Sequence, residues 1–166
     1  MTDINEGDQA FRAGSLKGKE MEMPFGGALS FLRRKYTREI DSADIVVSGI
    51  PFDMATSNRP GARFGPRALR AASVGLAELD AYPFGFDPFD FVAVADYGDC
   101  YIDYGYPQNA TELIERHADQ IINTDSMMVS MGGDHYVTYP LLKAHAKKFG
   151  PLSLIQFYDH CDTTVS

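Results

Sequence analysis

The chain has 166 residues and a formal net charge of −8, and 45% of its residues are hydrophobic and 12% aromatic. This composition is typical of one soluble globular domain and argues against a collagen-like, wholly disordered or membrane protein. The excess of acidic residues also argues against nucleic acid or an anionic membrane as the main partner, because phosphate groups require a basic surface.

The cysteine content and the N-terminus bear on the cellular location. Cys100 and Cys161 form neither a CxxC pair nor a dense disulfide pattern, which favours a reducing compartment. The first 20 residues are polar and mixed in charge, unlike a signal peptide or a membrane anchor. No segment approaches the ~18 apolar residues of a membrane helix. We therefore expect a cytoplasmic protein.

The first 40 residues are predicted to form an arm rather than a domain. Glycine and charged residues are scattered through this region, and one short helix is expected near Leu29 to Tyr36. The pattern changes after Ala43, and we expect an α/β domain over 41–166. The chain length fits one domain of average size, so no second full domain is expected.

The first strand and the first helix of this domain are predicted on either side of a long loop. Ile45–Ile50 is a β-branched apolar run that ends at a proline, as a buried parallel strand does. The loop from Pro51 to Gly65 is longer than most connections, and such loops are commonly functional. Pro66 suits the first position of a helix, which we expect to reach about Leu79.

The rest of the chain alternates strands and helices after an irregular segment at 82–90. Apolar runs predict the strands and a 3.6-residue periodicity predicts the helices. In chain order these are a strand at Phe91–Ala95, a helix from Asn109, a strand at Met127–Met131, a helix at Thr138–Phe149 and a strand at Leu152–Phe157. The alternation predicts a three-layer α/β/α fold with a mostly parallel, doubly wound sheet.

His117 lies on the apolar stripe of the predicted helix that begins at Asn109. Asn109 and Glu112 resemble a capping box at the start of that helix. Because no second type of metal ligand lies one turn from His117, we interpret it as a packed core histidine with one hydrogen bond.

Two polar clusters directly follow predicted strands. Gly132-Gly133-Asp134-His135 follows one strand, and Asp159-His160-Cys161-Asp162 follows the next. Ligands collect at the carboxyl ends of parallel strands, and one crossover helix would place these two ends close together. His160 and Asp162 point the same way in extended backbone, and imidazole with carboxylate suits manganese, iron or zinc. His135, His160 and Asp162 are therefore candidate ligands of a metal ion.

Each cluster also has a simpler interpretation. The two glycines alone are compatible with a turn or a phosphate-binding loop, and Asp134 alone is compatible with a helix cap. His160 and Asp162 alone are compatible with a surface pair. The residues by themselves leave these alternatives open, and the occurrence of His and Asp at two successive strand ends favours the metal.

The order of the motifs resembles the ureohydrolase family, which contains the arginases and agmatinases, from about Phe31 onward. The segments IPFDMATSNRPGARFGP at 50–66 and VADYGD at 94–99 resemble the first conserved loop of the family and its next strand and loop. Gly132–His135, followed by YVTYPLL, is similar to the first metal motif, whose histidine binds manganese. The resemblance is strongest to the bacterial agmatinase branch, and it implies an arginase-like fold.

The second metal motif of the family, Asp-Ala-His-x-Asp, aligns with 158–162. His160 and Asp162 match, but Tyr158 stands where the family has an aspartate that bridges two manganese ions. A neutral phenol does not offer two carboxylate oxygens, and Asp159 faces the other side of an extended chain. The third family motif, Asp-x-Asp, lies further along than residue 166, so we expect a chain truncated to the N-terminal half of a family member.

The resemblance implies manganese-dependent hydrolysis of agmatine to putrescine and urea, by a hydroxide that bridges two manganese ions. It implies a homo-oligomer with a guanidino small molecule as substrate, and guanidinobutyrate is the alternative substrate. It assigns His135, His160 and Asp162 as metal ligands and no further catalytic residue. With these three ligands we expect at most one weakly bound manganese and impaired activity. A non-catalytic ureohydrolase-like fragment or interaction protein is the alternative.

Overall fold

A computed structural model describes residues 15–18, 25–77 and 79–158. Its sheet has four parallel strands in the order β1-β3-β2-β4, which are β1 (Lys35–Tyr36), β2 (Ile45–Ile50), β3 (Val94–Asp99) and β4 (Met127–Gly132). Within these residues, three α-helices connect or follow the strands: α1 (Gly65–Ser73), α2 (Ala110–Ile122) and α3 (Thr138–Phe149). Short 3-10 turns include those at Phe31–Arg33, Ala62–Phe64, Pro88–Asp90 and His135–Val137.

The centre of the sheet is β2, which pairs with β3 on one side and with β4 on the other. Val46 faces an apolar cluster that contains Ile121 of α2, and α2 in turn packs on α3. Val47 faces the opposite side, where Phe31 and Phe89 cover it. Helices and loops on both faces of a parallel sheet give three layers, so the predicted α/β fold class is confirmed.

A buried ion pair fixes α1 to the carboxyl end of β3. Arg70 donates through Nε and Nη2 to the two oxygens of Asp96, at 2.7 and 2.9 Å, and through Nη1 to Asp99 at 2.6 Å. Asp96 is fully buried and also accepts from the backbone N–H groups of Phe31 and Gly98. Burial opposes the charge of Arg70, but the bonds to Asp96 and Asp99 outweigh it and raise the pKa of the guanidinium.

Several sequence predictions are confirmed. The strand at Ile45–Ile50 and the helix at Thr138–Phe149 have the predicted bounds, and the strand from Met127 ends one residue later than expected. His117 is a core histidine, with 6% of its surface exposed and a 2.6 Å hydrogen bond between Nε2 and Ser48 Oγ. In these elements the local apolar pattern and the tertiary contacts favour the same structure, so the pattern predicts them correctly.

The predicted strand at Leu152–Phe157 is wrong, because these residues form no strand in the structure. Ile155 and Phe157 are 79% and 96% exposed. An apolar run becomes a strand only when a neighbouring strand satisfies its backbone and a second layer covers its side chains. Neither condition is met for this segment within the described part of the chain.

Other element boundaries also need correction. The region near Leu29 to Tyr36 is a 3-10 turn followed by β1 instead of one helix, because Leu32 and Arg33 have positive φ angles of 46° and 52°. The second predicted strand starts at Val94 rather than at Phe91, whose ring packs on Phe86 at 5.6 Å.

The helix starts and ends also differ from expectation. Helix α1 ends at Ser73 and continues only as a 3-10 turn to Leu76, instead of reaching Leu79. Asn109 makes no side-chain cap bond, because a 3-10 turn at Pro107–Asn109 already precedes α2 and gives Asn109 helical angles. The capping box is therefore wrong, although α2 begins where it was predicted.

The division into an arm over 1–40 and a domain over 41–166 stays a prediction. Lys35 and Tyr36 of the expected arm pair with β3, so part of the arm joins the sheet. Among the residues that the structure describes, no helix has both the length and the apolar character required to span a membrane.

Candidate metal centre and the adjoining loop

The glycine-rich motif after β4 is held against the backbone that follows β2. Gly133 N–H donates to Ile50 O at 3.1 Å, and Asp134 N–H donates to Phe52 O at 2.7 Å. A Cβ atom added to Gly133 would lie 2.0 Å from Phe52 O, which explains why glycine is required there. The motif therefore continues the parallel pairing of β2 and β4 past the end of the sheet.

Asp134 caps the short turn that carries His135. Its Oδ1 accepts from Tyr136 N–H at 3.0 Å, and its Oδ2 accepts from Ala55 N–H of the first loop at 2.8 Å. The simpler interpretation of Asp134 as a cap is therefore confirmed, for the 3-10 turn His135–Val137 that leads into α3. Asp134 thus orients the backbone of His135.

His135 lies at the carboxyl end of β4 beside Tyr158, with 5.4 Å between the two ring centroids. Both rings line a cavity of about 390 Å³, together with Ser130, Thr138 and Leu141. The other predicted ligands, His160 and Asp162, lie outside the described residues, as does Asp159. The predicted metal site with His135, His160 and Asp162 therefore stays a prediction.

Within residues 15–18, 25–77 and 79–158, no group of three or more His, Cys, Asp or Glu side chains has an arrangement that would hold a metal ion. Of the three predicted ligands, His135 is the one that lies within the described residues. The described residues alone therefore do not form a complete metal site, and any metal bound by His135 would need further ligands.

The loop between Pro51 and Gly65 is organised around the carboxylate of Asp53, whose exposed surface is only 2%. Oδ1 accepts from Arg63 Nε at 2.6 Å and lies 2.5 Å from Arg63 Nη2. Oδ2 accepts from the N–H groups of Gly61 and Arg63, at 2.7 and 3.2 Å. One carboxylate therefore closes the loop by joining residues ten positions apart.

Arg63 also connects this loop to the segment after β3. Its guanidinium lies 4.2 Å from the ring centroid of Tyr104, whose hydroxyl donates to Pro51 O. The sequence predicts the loop at 51–65 but does not single out Asp53, Arg63 or Tyr104. An acidic and a basic residue ten positions apart in a long loop were the available signal, but the sequence does not show that they meet.

The sequence profile of the Arginase family matches residues 43–166. The chain belongs to the arginase family. It is 52% identical over 158 residues to an agmatinase from Chromobacterium violaceum, an alignment that covers 95% of this chain and 49% of the relative. This arginase-family chain thus spans about half the length of the curated relative that it matches.

Solved structures support the same assignment. A hypothetical agmatinase from Burkholderia thailandensis superposes with a TM-score of 0.92 at 56% identity, covering 96% of this chain and 51% of that one. A formiminoglutamase variant from Trypanosoma cruzi, solved with Mn²⁺, has a TM-score of 0.56 at 25% identity, covering 67% of this chain and 37% of that one. The arginase-family fold is therefore shared with proteins of different named activities.

In the first loop of this arginase-family chain, hydrogen bonds hold the charged groups of Asp53 and Arg63 together. The hydrogen bond from Arg63, assisted by the N–H groups of Gly61 and Arg63, lowers the pKa of Asp53 to about 2 against the opposing effect of burial. The same bond raises the pKa of Arg63. Burial raises the pKa of Tyr104, which keeps its hydroxyl a donor to Pro51 O. The pair remains ionised at neutral pH.

Proposed function

We propose that this chain is part of an agmatinase-type ureohydrolase, which hydrolyses agmatine to putrescine and urea with manganese. The observation that carries the proposal is the Gly132–His135 motif, held at the carboxyl end of β4 in a chain 52% identical to an agmatinase. Sites at the carboxyl ends of parallel strands are where open α/β sheets place their chemistry.

The proposed metal ligands are His135, His160 and Asp162, and the proposed metal is manganese. Tyr158, two residues before His160, lies against His135, which supports a site shared by the two segments. The Mn²⁺ in the Trypanosoma cruzi relative supports the choice of metal. Manganese would activate a water for attack on the guanidinium carbon, and His135 would hold the ion against β4.

We further propose that 41–166 is the N-terminal half of a ureohydrolase α/β domain, in a cytoplasmic homo-oligomer. The share of the relatives that the chain covers, 49% and 51%, supports this division. The net charge of −8 supports a cationic small molecule such as agmatine over a nucleic acid or an anionic membrane.

A non-catalytic relative is the second candidate, and Tyr158 is the residue that favours it. Tyr158 aligns with a bridging aspartate of the family, and its ring contacts His135. A phenol does not replace two carboxylate oxygens. We therefore expect this chain to bind at most one manganese ion weakly, and titration calorimetry measures that stoichiometry.

The function is tested with a chimera in which 43–157 of this chain replaces the matching half of the Chromobacterium violaceum agmatinase. The relative then supplies every later metal motif. We expect manganese-dependent urea release from agmatine, with a higher kcat/KM than for guanidinobutyrate.

The matched control is the same chimera with His135→Ala. Loss of a metal ligand is expected to lower urea release by roughly 100-fold or more. Equal rates with and without His135 would overturn the proposed site. Faster hydrolysis of guanidinobutyrate would overturn the substrate, and a folded chimera without activity on either would favour the non-catalytic candidate.

A further inference from the structure

Hydrogen bonds and a short stretch of backbone together connect the first loop to the turn that carries His135. The connection begins at Asp53, where one buried carboxylate accepts from Arg63 and from two backbone N–H groups of the loop. Phe52 directly precedes Asp53 and Ala55 follows it by two residues, and both bond to Asp134 of the glycine-rich motif. A displacement of Asp53 would therefore displace both contacts.

Phe52 and Ala55 hold Asp134 from two sides. Phe52 O accepts from Asp134 N–H at 2.7 Å, and Ala55 N–H donates to Asp134 Oδ2 at 2.8 Å. The backbone and the side chain of Asp134 are thus both fixed by the loop. Its remaining oxygen, Oδ1, caps the turn at Tyr136 N–H, and His135 lies between these two residues.

We propose that Asp53 is a positioning residue for His135, which acts through Ala55 and Asp134. Arg63 and Tyr104 keep the Asp53 carboxylate in place. The proposal rests on the proposed function in one respect, namely that His135 is a metal ligand. The route from Asp53 to the backbone of His135 is independent of any metal.

The geometry around Arg63 distinguishes its pair with Asp53 from an ordinary surface ion pair. Two nitrogens of Arg63 lie within 2.6 Å of the same oxygen of Asp53, and the guanidinium stacks 4.2 Å from the Tyr104 ring centroid. The Asp53 side chain has no exposed surface. Packing and hydrogen bonds that hold a supporting residue are what give a site its precision. By contrast, 72% of the Lys147 side chain is exposed in its pair with Asp119.

The test measures amide hydrogen exchange by NMR on the full chain without metal, for Asp53→Asn and for Asp119→Asn as the matched control. We expect Asp53→Asn to speed exchange at the Ala55 and Asp134 amides by roughly tenfold, since a hydrogen bond to a charged group is lost. The Val47 amide in β2 serves as the internal reference. Asp119→Asn should leave all three amides unchanged relative to one another.

Arg63→Lys is the second, milder variant, in case Asp53→Asn does not fold. Lysine keeps the charge but loses the paired nitrogens and the planar stacking on Tyr104. The same two amides should exchange faster than in the unmodified chain, and the His135 ring proton shifts should change. Faster exchange at Gly61 alone, with Asp134 and the His135 signals unchanged, would overturn the proposal.

A manganese titration of the same proteins separates this proposal from the proposed function. If the unmodified chain binds Mn²⁺, Asp53→Asn should weaken the Kd by roughly tenfold, within the range of outer-shell substitutions, and Asp119→Asn should not. An unchanged Kd would overturn the positioning role. If the unmodified chain binds no Mn²⁺, metal ligation by His135 in this chain is refuted, and the exchange data still decide whether Asp53 positions its backbone.

Discussion

Two apolar segments of six residues, β2 and 152–157, have similar strand-forming sequences and different outcomes. β2 lies between β3 and β4 and is covered on both faces, so that Val46 and Ile50 have no exposed surface. In 152–157, Ile155 and Phe157 are 79% and 96% exposed. The difference shows that neighbours on both edges and faces, rather than strand propensity, decide where a sheet forms.

The buried polar groups around β2 have hydrogen-bonding or ionic partners. Ser48 of β2 is fully buried, and its hydroxyl contacts His117 and donates to Gly98 O at 2.9 Å. Arg70 and Asp96 form their ion pair at the same sheet. Buried polar groups of this kind are stable only when each has a partner. The region around β2 should therefore be sensitive to substitution, and 152–157 should tolerate it.

The largest effect is expected for Arg70→Met, which removes the cation that faces buried Asp96. An uncompensated buried charge should lower the free energy of unfolding by about 3–5 kcal/mol. Urea denaturation followed by circular dichroism measures this change. Arg116→Met is the control, since Arg116 pairs with Glu112 in a surface pair whose side chains are 61% and 80% exposed. That change should cost less than about 1 kcal/mol, and equal costs would contradict the comparison.

A smaller effect is expected from pH, through His117 beneath β2. Burial, assisted by Arg38, lowers the pKa of His117 to about 4. The unfolded chain, with an ordinary histidine pKa of about 6.5, then binds the proton more readily, so stability is full above pH ~7 and falls as the pH drops towards 4. The expected loss between about pH 7 and pH 5 is about 2 kcal/mol.

This loss is measured as the difference in unfolding free energy between the two pH values, in the chain and in His117→Gln. Glutamine retains a group that hydrogen-bonds Ser48 but does not titrate in this range. The pH dependence assigned to His117 should disappear in the variant. A variant with the same slope as the unmodified chain would assign the pH dependence to other groups.

The smallest effect is expected for Ile155→Thr, which introduces a hydroxyl into the exposed segment. The free energy of unfolding should change by less than about 0.5 kcal/mol. Val47→Thr is the matched variant in β2, where 2% of the residue is exposed. Burying that hydroxyl should cost about 1–3 kcal/mol, and urea denaturation compares the two. Equal costs would mean that 152–157 is as well packed as β2.

The sequence by itself determined the fold class and most of the elements that build it. Local pattern correctly predicts three elements: β2 from its β-branched run, β4 from its apolar run and α3 from its periodicity. In each of them, burial and backbone pairing favour the same structure as the local pattern. The apolar stripe of α2 also predicted His117 correctly as a core residue. The order of the motifs also identified the arginase family, since that order is present in the sequence itself.

The tertiary structure alone decided which apolar run obtains neighbours and which polar groups meet. The failure of 152–157 to pair and the delayed start of β3 depend on what lies beside them, which no local pattern contains. The contact of Ala55 with Asp134 joins residues 79 positions apart. Such a contact exists only once β2 and β4 lie side by side and bring their carboxyl ends to the same edge of the sheet.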